Sequence, residues 1–181
     1  MNRIQLLPIG PAAAETLLDL RSGLSREFAV PRDILEAEPE PVYAFNHTRQ
    51  QYSSTEILAV MNKRTIPAGA CLLGVTALDL YIPILTFVFG EAQLNGCCAV
   101  ASFHRLRQEF YGLPPDPRVF RERLLKEAIH ELGHTVALPH CEDYQCVMST
   151  SHGVEWIDLK TGRFCNSCRT VVVGHSSGRA H

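Results

Sequence analysis

The chain of 181 residues contains no run of about 18 apolar residues, so nothing in it reads as a membrane-spanning helix. Its start, MNRIQLLPIGPAAAETLLDL, lacks the apolar core and small-residue cleavage site of a secretory signal, which leads us to expect a cytoplasmic protein. Strong charge of one sign is also missing. A net charge of -2 offers no basic footprint for a nucleic acid, and the positive residues (mostly Arg, with only three Lys) are scattered rather than blocked. No nucleic-acid or membrane partner is expected, and oligomeric state is not legible. There is no internal repeat and no low-complexity segment. The remaining balance is that of an ordinary soluble globular domain, with 46% hydrophobic and 20% charged residues, long enough to bury a core unaided.

Seven Cys and eight His set the chain apart, and four of each fall between His130 and Cys168. An odd Cys count without a secretion signal favours metal ligands or free thiols over a disulfide framework. Ahead of this region the pattern alternates strands with helices. Arg3 to Ile9 reads as a strand, followed by a helix over Ala12 to Leu20 closed by Ser22-Gly23. Glu27 to Val30 is a short strand stopped by Pro31, Asp33 to Glu40 an acidic loop, and Val42 to Phe45 a strand remnant. Ser53 and Glu56 form a capping box that opens a helix to Met61. Three apolar runs, Ala70 to Val75, Ile84 to Phe89 and Cys97 to Phe103, are read as strands of one sheet.

The longest helix runs from Arg118 to about Val136, with Asp116 as N-cap and Pro117 as first helical residue. Leu125, Ala128, Ile129, Leu132 and Val136 make its apolar stripe, with His130 and His134 on the other side. Arg118, Arg121, Glu122, Arg123, Lys126 and Glu127 read as a solvated face. His130-Glu131-Leu132-Gly133-His134 is an H-E-x-x-H. Histidines at i and i+4 lie about 40° apart around a helix and about 6 Å apart along it, so both imidazoles reach one zinc. Glu131 flanks that metal and is placed to take a proton from its bound water. His140 joins them only if the helix breaks before Pro139 and the chain turns back. Three His plus a water make a catalytic arrangement, since a structural site closes all four positions. The ordinary alternative is two solvated histidines on an exposed helix.

Cys141-x4-Cys146 and Cys165-x2-Cys168 are two close pairs, the spacing of a four-thiolate structural zinc. The tail from Cys141 has few apolar anchors, and a metal substitutes there for core. Two disulfides are the competing reading. Since Cys141 adjoins His140, a metal at the thiolates would also pin the third histidine. Cys71, Cys97 and Cys98 read as buried thiols. His47, His104, His152, His175 and His181 have no assignable partner.

On these residues the chain resembles the metzincins, whose signature is H-E-x-x-H-x-x-G-x-x-H with a methionine turn beneath the zinc. The stretch from His130 to Met148 followed by Cys165 to Cys168 is similar to the archaemetzincins in particular. Their pattern sets a Cys directly after the third His, then C-x-M and a later C-x-x-C. The resemblance implies His130, His134 and His140 as ligands, Glu131 as general base and Met148 as the turn methionine. Phe87, Val88, Phe89 and Gly90, continuing into Glu91 and Ala92, are similar to the family's strand beside the substrate cleft. One position departs: Ala137 stands where the signature has Gly, at a turn often unfavourable for a residue with a Cβ.

The expected fold is α/β: a small twisted mixed sheet with packed helices, one carrying the zinc site, plus a small irregular, zinc-stapled C-terminal lobe. The whole of 1–181 reads as one metzincin-like catalytic domain, divided into 1–136 and 137–181. The expected function is zinc-dependent hydrolysis of peptide bonds with two zinc ions per chain, one catalytic and one structural. The partner is then a peptide or protein substrate. The competing class is a zinc-ribbon-like protein- or nucleic-acid-binding module, which would have no use for Glu131.

Overall fold

A computed structural model describes residues 1–12 and 14–177. In chain order the first elements are β1 (Arg3–Ile9), α1 (Ala14–Gly23), β2 (Arg32–Ile34), β3 (Phe45–Asn46), β4 (Gln51–Ser53) and α2 (Ser54–Met61). Then come β5 (Ala70–Thr76), β6 (Leu80–Tyr81), β7 (Gly90–Ala92), β8 (Cys98–Ser102), α3 (Pro117–Thr135), α4 (Val154–Leu159) and α5 (Asn166–Ser177). The main sheet has the order β2-β1-β5-β8-β7, with β7 antiparallel to β8 and the other pairs parallel. A second, three-stranded sheet has the order β3-β4-β6.

Side chains alternate between the two faces of a strand, and here both faces are covered, which is why the central strands read as continuous apolar runs. Ile4, Leu6, Leu73, Val75, Ala99 and Ala101 pack with Leu17 and Leu20 of α1 and with Ala128, Ile129 and Leu132 of α3. Leu7, Ile9, Leu72, Cys98 and Val100 meet Ile57, Leu58 and Met61 of α2 on the other face. Each fully buried Leu or Ile contributes on the order of 2 kcal/mol. The small Ala99 and Ala101 let α3 lie close over β8. The mixed sheet with packed helices agrees with the α/β class the sequence implies, as does the long helix carrying His130 and His134.

Several boundaries differ from expectation. α1 closes at Gly23 as expected, but Gly23 keeps an ordinary helical conformation (φ -61°) and a short 3-10 turn follows over Leu24–Arg26. The expected strand at Glu27 to Val30 is displaced to β2, because pairing with β1 starts beyond Pro31, whose carbonyl accepts from Ile4 N–H. Val42–Ala44 is a 3-10 turn, and only Phe45–Asn46 pairs. The run Ile84 to Phe89 is not a strand. Pro83 removes a donor, the Arg49 guanidinium takes up the Leu85 and Pro83 carbonyls, and Ile84 is left exposed. Pairing in the main sheet resumes only at Gly90. Ala13, inside the expected first helix, and His181 lie outside the described residues.

The expected solvated face of α3 is corrected most. Arg123 is buried and binds Asp158 through Nε and Nη2 at 2.8 and 2.6 Å, while Lys126 donates to the Ile157 carbonyl. Glu127, His130 and Glu131 are buried as well. A helix hydrophobic on one stripe is here covered on the opposite side by α4 and the turns around it. The tail is also less irregular than expected, since α5 runs over Asn166–Ser177 and buries Cys168 and Val172. Among the described residues no helix is long and apolar enough to cross a membrane.

Candidate active site and metal centres

The Asp116 side chain accepts from Arg118 and Val119 N–H, fixing the start of α3, and the helix then runs without a break to Thr135. It presents His130 and His134 to one point, their Nε2 atoms 3.1 Å apart. Each Nδ1 is held by a backbone carbonyl: His130 donates to Val147 O at 2.8 Å and His134 to Leu138 O at 2.7 Å. That tautomer leaves both Nε2 lone pairs for a metal.

The helix ends in a Schellman motif. Leu138 N–H returns to Gly133 O and Ala137 N–H to His134 O. Ala137 occupies the left-handed position with φ +68°. A residue with a Cβ there costs roughly 1–2 kcal/mol. The turn carries the chain back, so that the His140 ring lies 5.3 Å from that of His130 and 5.0 Å from that of His134. The three potential ligand nitrogens lie within 4.8 Å of one another. Tetrahedral zinc with Zn–N of about 2.05 Å needs N···N separations of about 3.3 Å, so small rotations close the set.

His130 and Glu131 are buried, His134 is half-buried and His140 is exposed. Burial comes first in pushing the His130, His134 and His140 pKa values below the usual imidazole range; for His130 and His140 the Lys160 charge adds to it. Neutral imidazole is the form that ligates. Glu131 is buried, and its carboxyl is pushed well above the usual range by burial and then by the neighbouring Glu127 carboxylate. Its Oε2 has no hydrogen-bond partner among the described residues. Gly90 of β7 lies directly against it: a Cβ built there would stand 2.6 Å from Glu131 Oε1. On the other side of α3, a Cβ at Gly133 would meet Met148 Sδ at 2.3 Å, so the methionine fits only under a glycine.

Two residues of the site escape a reading of the sequence. Glu127, one helical turn before Glu131, is buried beside it, and burial raises its carboxyl too. Its i,i+4 spacing from Glu131 was the available signal. Lys160, after α4, is 2% exposed, donates to Ser149 O at 3.2 Å and lies 3.5 Å from His130 Nδ1. No periodicity could have marked it. Burial lowers its pKa, against the Glu127 and Glu131 carboxylates, which raise it.

Cys141, Cys146, Cys165 and Cys168 converge as a second cluster, their sulfurs within 4.8 Å of one another and unpaired as disulfides. Cys141 and Cys165 Sγ are 3.8 Å apart, the separation of about 3.8 Å that tetrahedral Zn–S bonds of about 2.3 Å produce. The Cys168 backbone N–H holds Cys165 below the ordinary thiol range, whereas burial raises Cys146 and Cys168. Of Phe87 to Gly90, Gly90 lies against Glu131, and Phe89 is buried in the core cluster that α3 shares. Phe87 and Phe89 pack edge to face, and Arg105, paired with Asp79, lies over Phe87. His104 and His175 find Ala77 O and Asn95, while the His152 ring packs against Trp156 and lies near enough to His140 for its charge to lower that imidazole's pKa.

An H-E-x-x-H helix laid on an α/β sheet, with a third histidine returned to it, defines a metallopeptidase domain. The sequence matches the model of peptidase family M54 over residues 36–173. It is 44% identical to the archaemetzincin of Methanocaldococcus jannaschii, covering 92% of this chain and 90% of that protein. The crystal structure of archaemetzincin from Archaeoglobus fulgidus superimposes with a TM-score of 0.82 at 36% identity, over 93% of this chain and 99% of the other. That from Methanopyrus kandleri gives 0.85 at 32%, over 96% and 94%. The chain belongs to the archaemetzincin family, peptidase family M54, and is a zinc metallopeptidase acting on peptides or proteins.

Proposed function

We propose that His130, His134 and His140 hold the catalytic zinc, that Glu131 is the general base of peptide-bond hydrolysis, and that the four cysteines hold a second, structural zinc. The observation that carries this reading is the convergence of three neutral imidazoles beside one buried carboxyl with an unpartnered oxygen. Zinc, when bound, polarises the scissile carbonyl and lowers the pKa of a coordinated water toward about 7. Glu131 takes the proton of the attacking water and passes it to the leaving amine. Val147 and Leu138 carbonyls keep two ligand rings in register, and Met148 under Gly133 forms the floor of the site.

Substrate enters as an extended strand past Phe87, Val88 and Phe89 and pairs with the sheet edge that begins at Gly90. β7 is an edge of the main sheet, and an edge offers open backbone groups to a peptide. The free thiols suit a reducing, cytoplasmic setting. The test is Glu131→Gln, nearly isosteric but unable to accept a proton. It is expected to keep both zinc equivalents and lose about 10²–10⁴-fold in hydrolysis of the best substrate from a peptide library. Retention of most activity would remove Glu131 from the mechanism.

A further inference from the structure

The three histidines are not equally held. His130 and His134 stand on a continuous helix and each donates Nδ1–H to a carbonyl. His140 is exposed, lies outside any helix or strand, and makes no side-chain hydrogen bond among the described residues. Partners of that kind normally orient a ligating imidazole, and removing one costs about 10–100-fold in metal affinity. On its C-terminal side His140 is joined to Cys141, whose N–H is tied to Met148 O at 3.0 Å and whose Sγ belongs to the four-thiol cluster. On its N-terminal side stand Pro139 and the strained Ala137 turn.

We propose that the four-cysteine site is the positioning device for His140, and that metal in the thiolates tightens zinc at the three histidines through the single His140–Cys141 peptide link. The inference rests on the ligand assignment proposed above. The thiolate cluster then does for His140 what Val147 and Leu138 carbonyls do for the other two rings. Coupling of this kind is reciprocal: zinc at the histidines must tighten the thiolate site by the same factor.

The experiment uses the full chain with one equivalent of cadmium in the thiolate site, which favours soft ions and reports its filling by thiolate charge-transfer absorption. Zinc affinity of the histidine site is measured by chelator competition in the parent and in a variant with two glycines inserted between His140 and Cys141. The insertion keeps all seven donors and lengthens only the link. Zinc binding weaker by about tenfold or more, with cadmium absorption and circular dichroism unchanged, is the expected result. Equal affinity in parent and insertion variant overturns the coupling while leaving the ligand assignment standing. Failure of the parent to bind zinc once cadmium fills the thiolates overturns both. A second measurement needs no insertion: in the parent, zinc should slow cadmium loss to a chelator, and in His140→Ala it should not. No slowing in the parent also overturns the proposal.

Discussion

The histidine and cysteine clusters meet at one peptide bond, yet they are secured by opposite means. Two of three histidines stand on a 19-residue helix whose inner stripe is part of the main core, so the protein orients them with or without metal. Three of the four cysteines sit in turns or just before the short C-terminal helix, and the fourth, Cys168, is only its third residue. Trp156 and Leu159 of α4 are exposed, and the core contribution of this segment reduces to Val147, Met148, Ile157, Phe164 and Val172 with the buried cysteines. A donor set carried by the core should survive the loss of its metal. One that stands in for a core should not.

Cys168→Ala breaks this comparison most visibly. Removing one thiolate leaves three donors, and structural zinc contributes an apparent ~10–16 kcal/mol to small zinc domains. We expect loss of one zinc equivalent, rapid proteolysis within 141–177 and a melting temperature lower by about 10 °C or more. His134→Ala should also lose one equivalent, but with its digestion pattern and melting curve close to the parent's. Similar proteolysis of the two variants would show that the cysteine segment is held by packing.

The same contrast explains how much of the molecule was legible in its sequence. The extent of α3 could be read because Asp116 and Pro117 are local start signals, and the pair His130 and His134 because helical spacing is a local rule. The return of His140 was readable as a necessity, and its means, a Schellman turn at Ala137, only from the backbone. Burial of Arg123, Glu127 and Lys160 was not readable, because it depends on α4 folding over α3 from a distant part of the chain. Ile84 to Phe89 misleads because apolar composition does not ensure pairing: Arg49 takes the Leu85 carbonyl, Gln51 the Thr86 carbonyl, and only Val88 and Phe89 make single backbone bonds to neighbouring strands. Cysteine spacing pointed to the four-donor cluster, and the adjacency of Cys141 to His140 to its placement beside the histidines.

Within the histidine half, Gly90→Ala sharpens the comparison by disturbing Glu131, the proposed base, and none of the proposed ligands. The added methyl group would fall 2.6 Å from Glu131 Oε1 and 2.7 Å from its Cδ. The strand or the carboxylate has to shift, and a misplacement of about 1 Å at a reacting group can cost about 10²-fold. The expected outcome is a fall in kcat of that order with KM less affected and two zinc equivalents retained. A rise in KM alone would instead assign Gly90 to substrate contact rather than to clearance for Glu131.

Ala137→Gly should give the smallest effect, and of opposite sign. At φ +68° the alanine Cβ costs roughly 1–2 kcal/mol that glycine would not. Glycine also widens the unfolded ensemble, which removes about 0.4–1 kcal/mol of stability. The two contributions fall on different observables. Relief of the turn acts on the approach of His140, so zinc at the three histidines should dissociate to a chelator several-fold more slowly. The entropic loss belongs to the whole chain and shows as a slightly lower melting temperature of metal-free protein. If the cysteine site already holds His140 in place, the gain in zinc retention should be larger in chain whose thiolates are empty than in chain where they are filled. An equal gain in both states would mean that the turn and the thiolate link act on His140 independently, leaving the strain at Ala137 uncompensated by its neighbour.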